Sequence, residues 1–201
     1  MTIPSVRILD IASVLPGFSA KGALADEPHG THQVIAARHL TEGEPYRYRD
    51  EHRLRITPPR SIEKYLVEMG DVLFMSRGSN NYAVLLENFP RPAIAPLTFF
   101  ILRAKKGLFP AYIAWCLNQP LVQAQLNEIR TGAGTPMIPR TEFAEIVVPL
   151  PPEKTQKKIA GLAELQCREK TLLLQLTKET ERLHRMRGQQ LLSRMTNISQ
   201  E

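Results

Sequence analysis

Apolar and polar positions alternate in short runs over roughly the first three quarters of the chain, then change to a helical period that continues almost to its end. Val6–Val14, His32–Ala37, Arg53–Thr57, Asp71–Ser76, Tyr82–Leu86, Leu97–Arg103 and Glu145–Val148 are rich in β-branched or aromatic residues and read as strands. Turn signals at Pro16-Gly17, Glu42-Gly43, Pro58-Pro59, Gly78-Ser79-Asn80-Asn81 and Lys106-Gly107 separate several of them. Across Pro110–Arg130, Tyr112, Ile113, Trp115, Cys116, Leu117, Val122, Leu126 and Ile129 recur at helical spacing, and Pro120 divides the stretch into two helices. The predicted fold class is α+β: a globular domain with a mostly β core and a few helices, followed by one long helix.

The change of period falls at Pro149-Leu150-Pro151-Pro152. Proline neither continues a helix nor donates to a ladder, and it restrains the preceding residue to extended geometry, so these residues form a stiff exit. The expected domains are therefore 1–152 and 153–201. From Glu153 to Met195 there is no proline, and the only glycines are Gly161 and Gly188. A heptad can be laid along this helix, with Leu162, Glu169, Leu176 and Leu183 at one core position and Leu165, Leu172, Glu179 and Met186 at the other. Six apolar residues of eight form a coiled-coil seam that the two glutamates weaken, and the expected interface is Leu162, Leu165, Leu172, Leu176, Leu183 and Met186. The alternative is an amphipathic helix folded back on its own domain. At about 1.5 Å per residue the helix is roughly 65 Å long, greater than the width of a domain of ~150 residues, which favours a partner. Two antiparallel copies would hold two globular domains apart by roughly two turns of B-DNA.

Composition narrows the classes. Hydrophobic residues make up 43% and charged residues 23%, as in folded globular proteins. The apolar runs Ala93–Leu102 and Ile146–Pro152 are too short to span a bilayer, and no signal-like start is present, so the expected location is the cytoplasm. Lys and Arg number 26 against 20 Asp and Glu, a net charge of +6 that permits a polyanionic partner without demanding one. Cys116 and Cys167 stand alone, and the five histidines show no ligand spacing, so neither metal nor cofactor is expected.

Two polar stretches are candidates for a nucleic-acid surface. In the first, a buried strand ends in Arg77, Gly78, Ser79, Asn80, Asn81 and Tyr82, where arginine and asparagine have donor geometry suited to guanine and adenine edges or to phosphates. In the second, Arg47, Tyr48, Arg49 and Arg53 combine phosphate-gripping and base-stacking groups, with Arg38 and His39 just upstream. Either stretch could equally be a solvated turn. Thr131-Gly132-Ala133-Gly134-Thr135-Pro136-Met137 follows a helix and leads toward a strand, the reverse of a nucleotide loop, and reads as a tight, mobile or DNA-facing loop, with Thr135 the candidate DNA contact. Glu63-Lys64 could belong to a metal-dependent nuclease, but lies in helix-like sequence with the wrong spacing. Gly-x-Ser-x-Gly and His-Glu-x-x-His are both absent.

Taken in order, these features resemble the specificity subunits of type I restriction-modification systems. The resemblance covers about residues 30–195. It rests on Gly70-Asp71-Val72-Leu73-Phe74 running into Ser76-Arg77-Gly78, on the Ala93–Arg103 strand, and on the Pro110–Gln119 helix with Tyr112 and Leu117-Asn118. It continues from Gly132-Ala133-Gly134 through Ile138-Pro139 and Ile146–Gln156 to Ile159-Ala160. The family's subunit is similar to two copies of this plan in one chain, and one copy is present here. The resemblance implies a half-sized subunit that dimerises, or a piece of a longer chain. It also implies a noncatalytic, sequence-specific reader of double-stranded DNA, working with methyltransferase (modification) and motor-nuclease (restriction) subunits. The contrasting readings are a small metal-dependent nuclease and a coiled-coil interaction module that does not bind DNA.

Overall fold

The computed structural model describes residues 3–20, 22–58, 62–132 and 134–198, with side chains through Ser193. Pro59 and Ala133, which fall in two of the turn segments read from the sequence, lie outside the described residues. The chain separates into two compact units, Met1–Gly161 and Leu162–Glu201.

Among its described residues the first unit contains ten strands: β1 (Ser5–Arg7), β2 (Ala12–Pro16), β3 (His32–Val34), β4 (Tyr46–Arg47), β5 (Arg55–Ile56), β6 (Val72–Met75), β7 (Ala83–Asn88), β8 (Ala93–Ile94), β9 (Phe99–Ala104) and β10 (Val147–Pro149). Its helices are α1 (Ile8–Ile11), α2 (Pro110–Leu117), α3 (Pro120–Glu128) and α4 (Arg140–Glu145), and α5 (Glu153–Ile198) starts within it. The central sheet has the order β2-β9-β6-β7-β4; smaller sheets are β5-β3-β8 and β1-β10. β4 joins β7, and β8 joins β3, in parallel; the other pairings are antiparallel. The α+β class expected from the pattern is what the chain adopts.

Strand alternation splits the central sheet between two cores. Val72 and Phe74 of β6, Ala83 of β7 and Phe100 and Leu102 of β9 point to one face, where α1 to α4 pack. Leu73, Met75, Val84, Leu86, Phe99 and Ile101 point to the other, against Ile35, Tyr46, Val67 and Phe89. Both faces are covered, so β6 is buried at every position. A third core, including Val34, Leu54, Ile56 and Ile94, sits on the small β5-β3-β8 sheet.

The structure revises several element boundaries. Val6–Val14 is not one strand: a helical turn, Ile8–Ile11, interrupts it. One turn puts Ile8 and Ile11 on the same side, both buried, whereas continuous alternation would have turned one of them outward. Asp10 fastens the turn, accepting from the Arg7 guanidinium at 3.0 Å and from the Arg7 amide at 3.3 Å. The chain thereby changes sheets, from β1 beside β10 to β2 beside β9. The Ala93–Arg103 run is likewise two strands, β8 and β9, in different sheets. α4 was not foreseen; it exists to place Phe143, whose ring stacks on Phe74 at 4.4 Å and meets Phe100 at 5.3 Å. The split at Pro120 is as expected: Pro110 and Pro120 each open a helix, where the missing N–H costs nothing.

The exit segment and the start of α5 belong to the globular unit. Tyr112 donates to the Pro149 carbonyl at 2.7 Å. Gln156 is buried, accepts from the Phe109 amide at 3.2 Å and donates to the Pro151 carbonyl at 2.9 Å, so both ends of its amide are satisfied. Ala160 is also buried. In the second unit, from Leu162 on, all six seam residues are exposed, between 46% and 65%. Among the described residues no helix is long and apolar enough to cross a membrane.

Candidate nucleic-acid interface

The loop after β6 begins where Asp71 anchors the strand. Asp71, at 2% exposure, receives a two-pronged ion pair from Arg103 (2.8 and 2.9 Å) and the Glu68 amide at 2.8 Å. At the other end, Ser76 donates its hydroxyl to the Thr98 carbonyl at 3.0 Å. The chain then reverses at Gly78, whose φ of +101° is one that side chains with a Cβ rarely adopt. Arg77, Ser79 and Asn80 are exposed, and Arg77 has no ion pair or side-chain hydrogen bond among the described residues.

Folding joins this loop to the segment 131–137, more than fifty residues away. Arg77 pairs with Met137 as an antiparallel bridge, the Gly78 amide donates to the Pro136 carbonyl at 2.8 Å, and the Ile138 amide to the Ser76 carbonyl at 2.8 Å. Thr131 and Met137 close the second loop on themselves with two backbone hydrogen bonds, 2.9 and 2.8 Å. Arg77, Ser79, Asn80 and Thr135 therefore lie on two exposed loops laced into one platform. The turn at 41–44 reaches the same place: Asn80 donates to Glu42 at 3.4 Å, and burial together with Glu42 raises the Tyr82 phenol above its ordinary range.

Asn81 has a different role from the base reading expected of it. It is buried, its amide donates to the Met75 carbonyl at 2.8 Å, and its side-chain oxygen accepts from Arg130 at 2.8 Å. With both ends of the amide engaged inside the protein, it faces the platform's underside and is left out of the surface proposed below. Asn118 works similarly, its amide accepting from and donating to the backbone of Ala83 at 2.8 and 2.9 Å, as a neighbouring strand would.

The arginine segment rests on an aromatic stack. His39 and His52 stack at 5.2 Å, and Tyr46 and His52 at 5.5 Å, while the Ala36 and Arg49 amides each donate to an imidazole Nδ1. Burial, reinforced by Arg38 and His52, lowers His39 to about 4. Burial also raises the Tyr46 phenol, whose hydroxyl has no hydrogen-bond partner. Above the stack Arg38 is exposed, Arg47 pairs with Glu87 at 2.7 Å, and Arg49 with Glu51 at 3.5 Å. Tyr48 is half-buried, its amide bonded to the Asn88 carbonyl at 2.7 Å. Arg53 is drawn elsewhere, to the Pro28 carbonyl at 3.0 Å and Asp26 at 3.8 Å.

No group of carboxylates, histidines and cysteines able to hold a metal ion exists among the described residues. Glu63 and Lys64 lie in a short 3-10 turn, Glu63–Tyr65, and the Lys64 ammonium sits 5.0 Å from the Tyr65 ring. A groove between α3 and α4 is lined by Glu128, Glu142 and Glu145, a charge opposite to what a polyanion requires. The loop platform thus presents Arg77 and neutral donors, and carboxylates line the α3–α4 side.

The profile of the type I restriction modification DNA specificity domain matches residues 5–163. The chain belongs to this family. Specificity-subunit structures share its fold at low sequence identity. That of the type I restriction-modification S subunit from M. genitalium has a TM-score of 0.54 at 13% identity, over 81% of this chain and 38% of that one. The HsdS subunit from Thermoanaerobacter tengcongensis gives 0.56 at 14%, over 83% and 37%. A structure describing complex assembly and conformational transition of the type I R-M system gives 0.63 at 15%, over 89% and 41%. The chain therefore spans about two-fifths of the length of these specificity-family relatives. No curated protein matches it.

Proposed function

We propose that this chain is a noncatalytic DNA-specificity subunit of a type I restriction-modification complex, acting in the cytoplasm as a homodimer that reads two inverted half-sites in double-stranded DNA. The observation that carries the reading is the loop platform in a domain of this family: Arg77, Ser79, Asn80 and Thr135 present donors on one surface, while Arg38, Arg47, Tyr48 and Arg49 belong to a second patch, with Arg47 paired to Asn88 at the far end of β7 from that loop. Arg77 suits a guanine edge or a phosphate, and Asn80 an adenine edge. Arg53 is the weakest member, because it is already held by Asp26 and Pro28.

Dimerisation is supported by the exposed stripe of Leu162, Leu165, Leu172, Leu176, Leu183 and Met186, apolar surface that a second helix would remove from water. A two-fold dimer presents the same reading surface twice, which calls for an inverted repeat around a spacer. Methyltransferase and motor-nuclease subunits are the proposed partners and carry the chemistry; no cofactor is assigned to this chain.

The test is selection from a random double-stranded DNA library by the purified chain, with and without the modification subunit. Two inverted half-sites at fixed spacing are expected, with affinity falling steeply as salt rises because phosphate contacts release counterions. A single unrepeated word would overturn the symmetric dimer. Absence of any sequence preference would overturn DNA reading and favour a coiled-coil module. Metal-dependent cleavage by the chain alone, abolished by Glu63→Gln, would overturn the noncatalytic assignment.

A further inference from the structure

The platform's two loops come from distant parts of the chain, and their edges are joined by backbone hydrogen bonds alone. Beneath them one side-chain chain of contacts links the same elements. Arg130, at the end of the α3 region, donates to the side-chain oxygen of Asn81 at 2.8 Å; Asn81 passes the link on, donating to the Met75 carbonyl at the end of β6 at 2.8 Å. Asn81 is 3% exposed, and the Arg130 Nε is buried without a hydrogen-bond partner, so the guanidinium is drawn into the protein at a cost. An arginine recruited for phosphate would be placed in the open, as Arg77 is. Residues 130 and 81 immediately adjoin the two loops, so the contact sets where Thr131–Met137 leaves α3 relative to where Arg77–Asn80 leaves β6.

We propose that Arg130 and Asn81 form a clasp that fixes the relative position of the two recognition loops, making them positioning residues for target choice rather than DNA contacts. The consequence for target choice rests on the DNA-reading function proposed above; the clasp itself does not. A displacement of about an ångström is enough to take a bidentate base contact out of hydrogen-bond range, so loosening the clasp changes which base pairs are accepted while the phosphate contacts persist.

The experiment compares the full-length chain with Arg130→Met and Asn81→Ala. Amide hydrogen exchange should quicken at least about tenfold at Gly78 and Ile138, the two amides that join the loops, in either variant, and the double variant should add little, because the two residues act as one unit. In random-library selection either variant should relax or shift the preferred sequence, with the salt dependence of binding unchanged. Unchanged exchange at Gly78 and Ile138 would overturn the clasp whether or not the protein binds DNA. An unaltered sequence preference, with uniformly weaker binding and a salt slope reduced by about one, would show Arg130 to be a phosphate contact and overturn the proposal. A wild-type chain with no sequence preference would instead defeat the DNA-reading function, leaving the exchange data to decide the clasp. Should Arg130→Met fail to fold, Asn81→Ala carries both measurements, since it truncates the same link without leaving an unpaired side-chain amide.

Discussion

The two units treat their leucines, isoleucines and phenylalanines in opposite ways. In Met1–Gly161 the large apolar side chains fill three cores, and Phe74, Phe99, Phe143, Ile8, Ile35 and Leu73 are almost wholly removed from water. In Leu162–Glu201 the seam leucines remain exposed. The first unit has an internal reason to fold; a lone helix of this kind has little beyond propensity and i,i+4 pairs to hold it. The difference is what the proposed pairing of the helix would account for, and it allows stability and assembly to be perturbed separately.

The strongest way to break the contrast is to attack the first unit's core. Phe143→Ala removes a fully buried ring between Phe74 and Phe100 and should destabilise the globular unit by about 4 kcal/mol in chemical denaturation. A value under about 1 kcal/mol would mean that α4 is dispensable to that core. Next in size, Leu176→Asp puts a charge in the middle of the seam and should weaken self-association by at least about a hundredfold in sedimentation, with the globular unit's unfolding midpoint unmoved. An unmoved dimer would place the interface elsewhere.

His39 provides a gentler probe inside the first unit. Its folded value of about 4 lies below the ordinary 6.5, so the unfolded chain binds a proton that the folded one refuses. This contribution to stability is therefore complete above pH ~6.5, is lost as the pH falls from there toward 4, and is level below. The loss should be about 3 kcal/mol, and His39→Leu should flatten that part of the stability curve relative to wild type. Identical pH profiles would remove His39 from the account. The smallest effect is expected from Arg47→Ala: its ion pair with Glu87 is largely exposed, so stability should change by less than about 1 kcal/mol. DNA affinity should fall nonetheless if Arg47 grips phosphate.

Much of the first unit's outline was legible along the chain. β6, β7 and β9 coincide closely with the runs rich in β-branched and aromatic residues, because a short apolar run bounded by turn residues is written in neighbouring positions. The candidate site was legible in part. Arg77 and Thr135 stand out as exposed polar residues in glycine-containing loops, but neither motif names the other. Asn81 illustrates the limit: an asparagine in a polar loop looks like a DNA donor, and only Arg130 and Met75, both remote in the folding pattern or hidden behind the turn, turn it inward. Asp71 and Gln156, both nearly fully buried, are a second case. Their partners Arg103 and Phe109 lie 32 and 47 residues away, and no local period records such pairings.

By itself the sequence determined the α+β class, the helix breaks at Pro120 and Pro149–Pro152, and the leucine stripe of α5, since periodicity and proline geometry act over a few residues. Tertiary structure alone decided that Val6–Val14 and Ala93–Arg103 each divide between two sheets, and that the loops at 77–80 and 131–137 become one surface. The physical reason is common to all of these: which strand or loop a segment meets depends on closing the chain over tens of residues and burying the resulting faces together, a choice made by the packed whole and not by any local pattern.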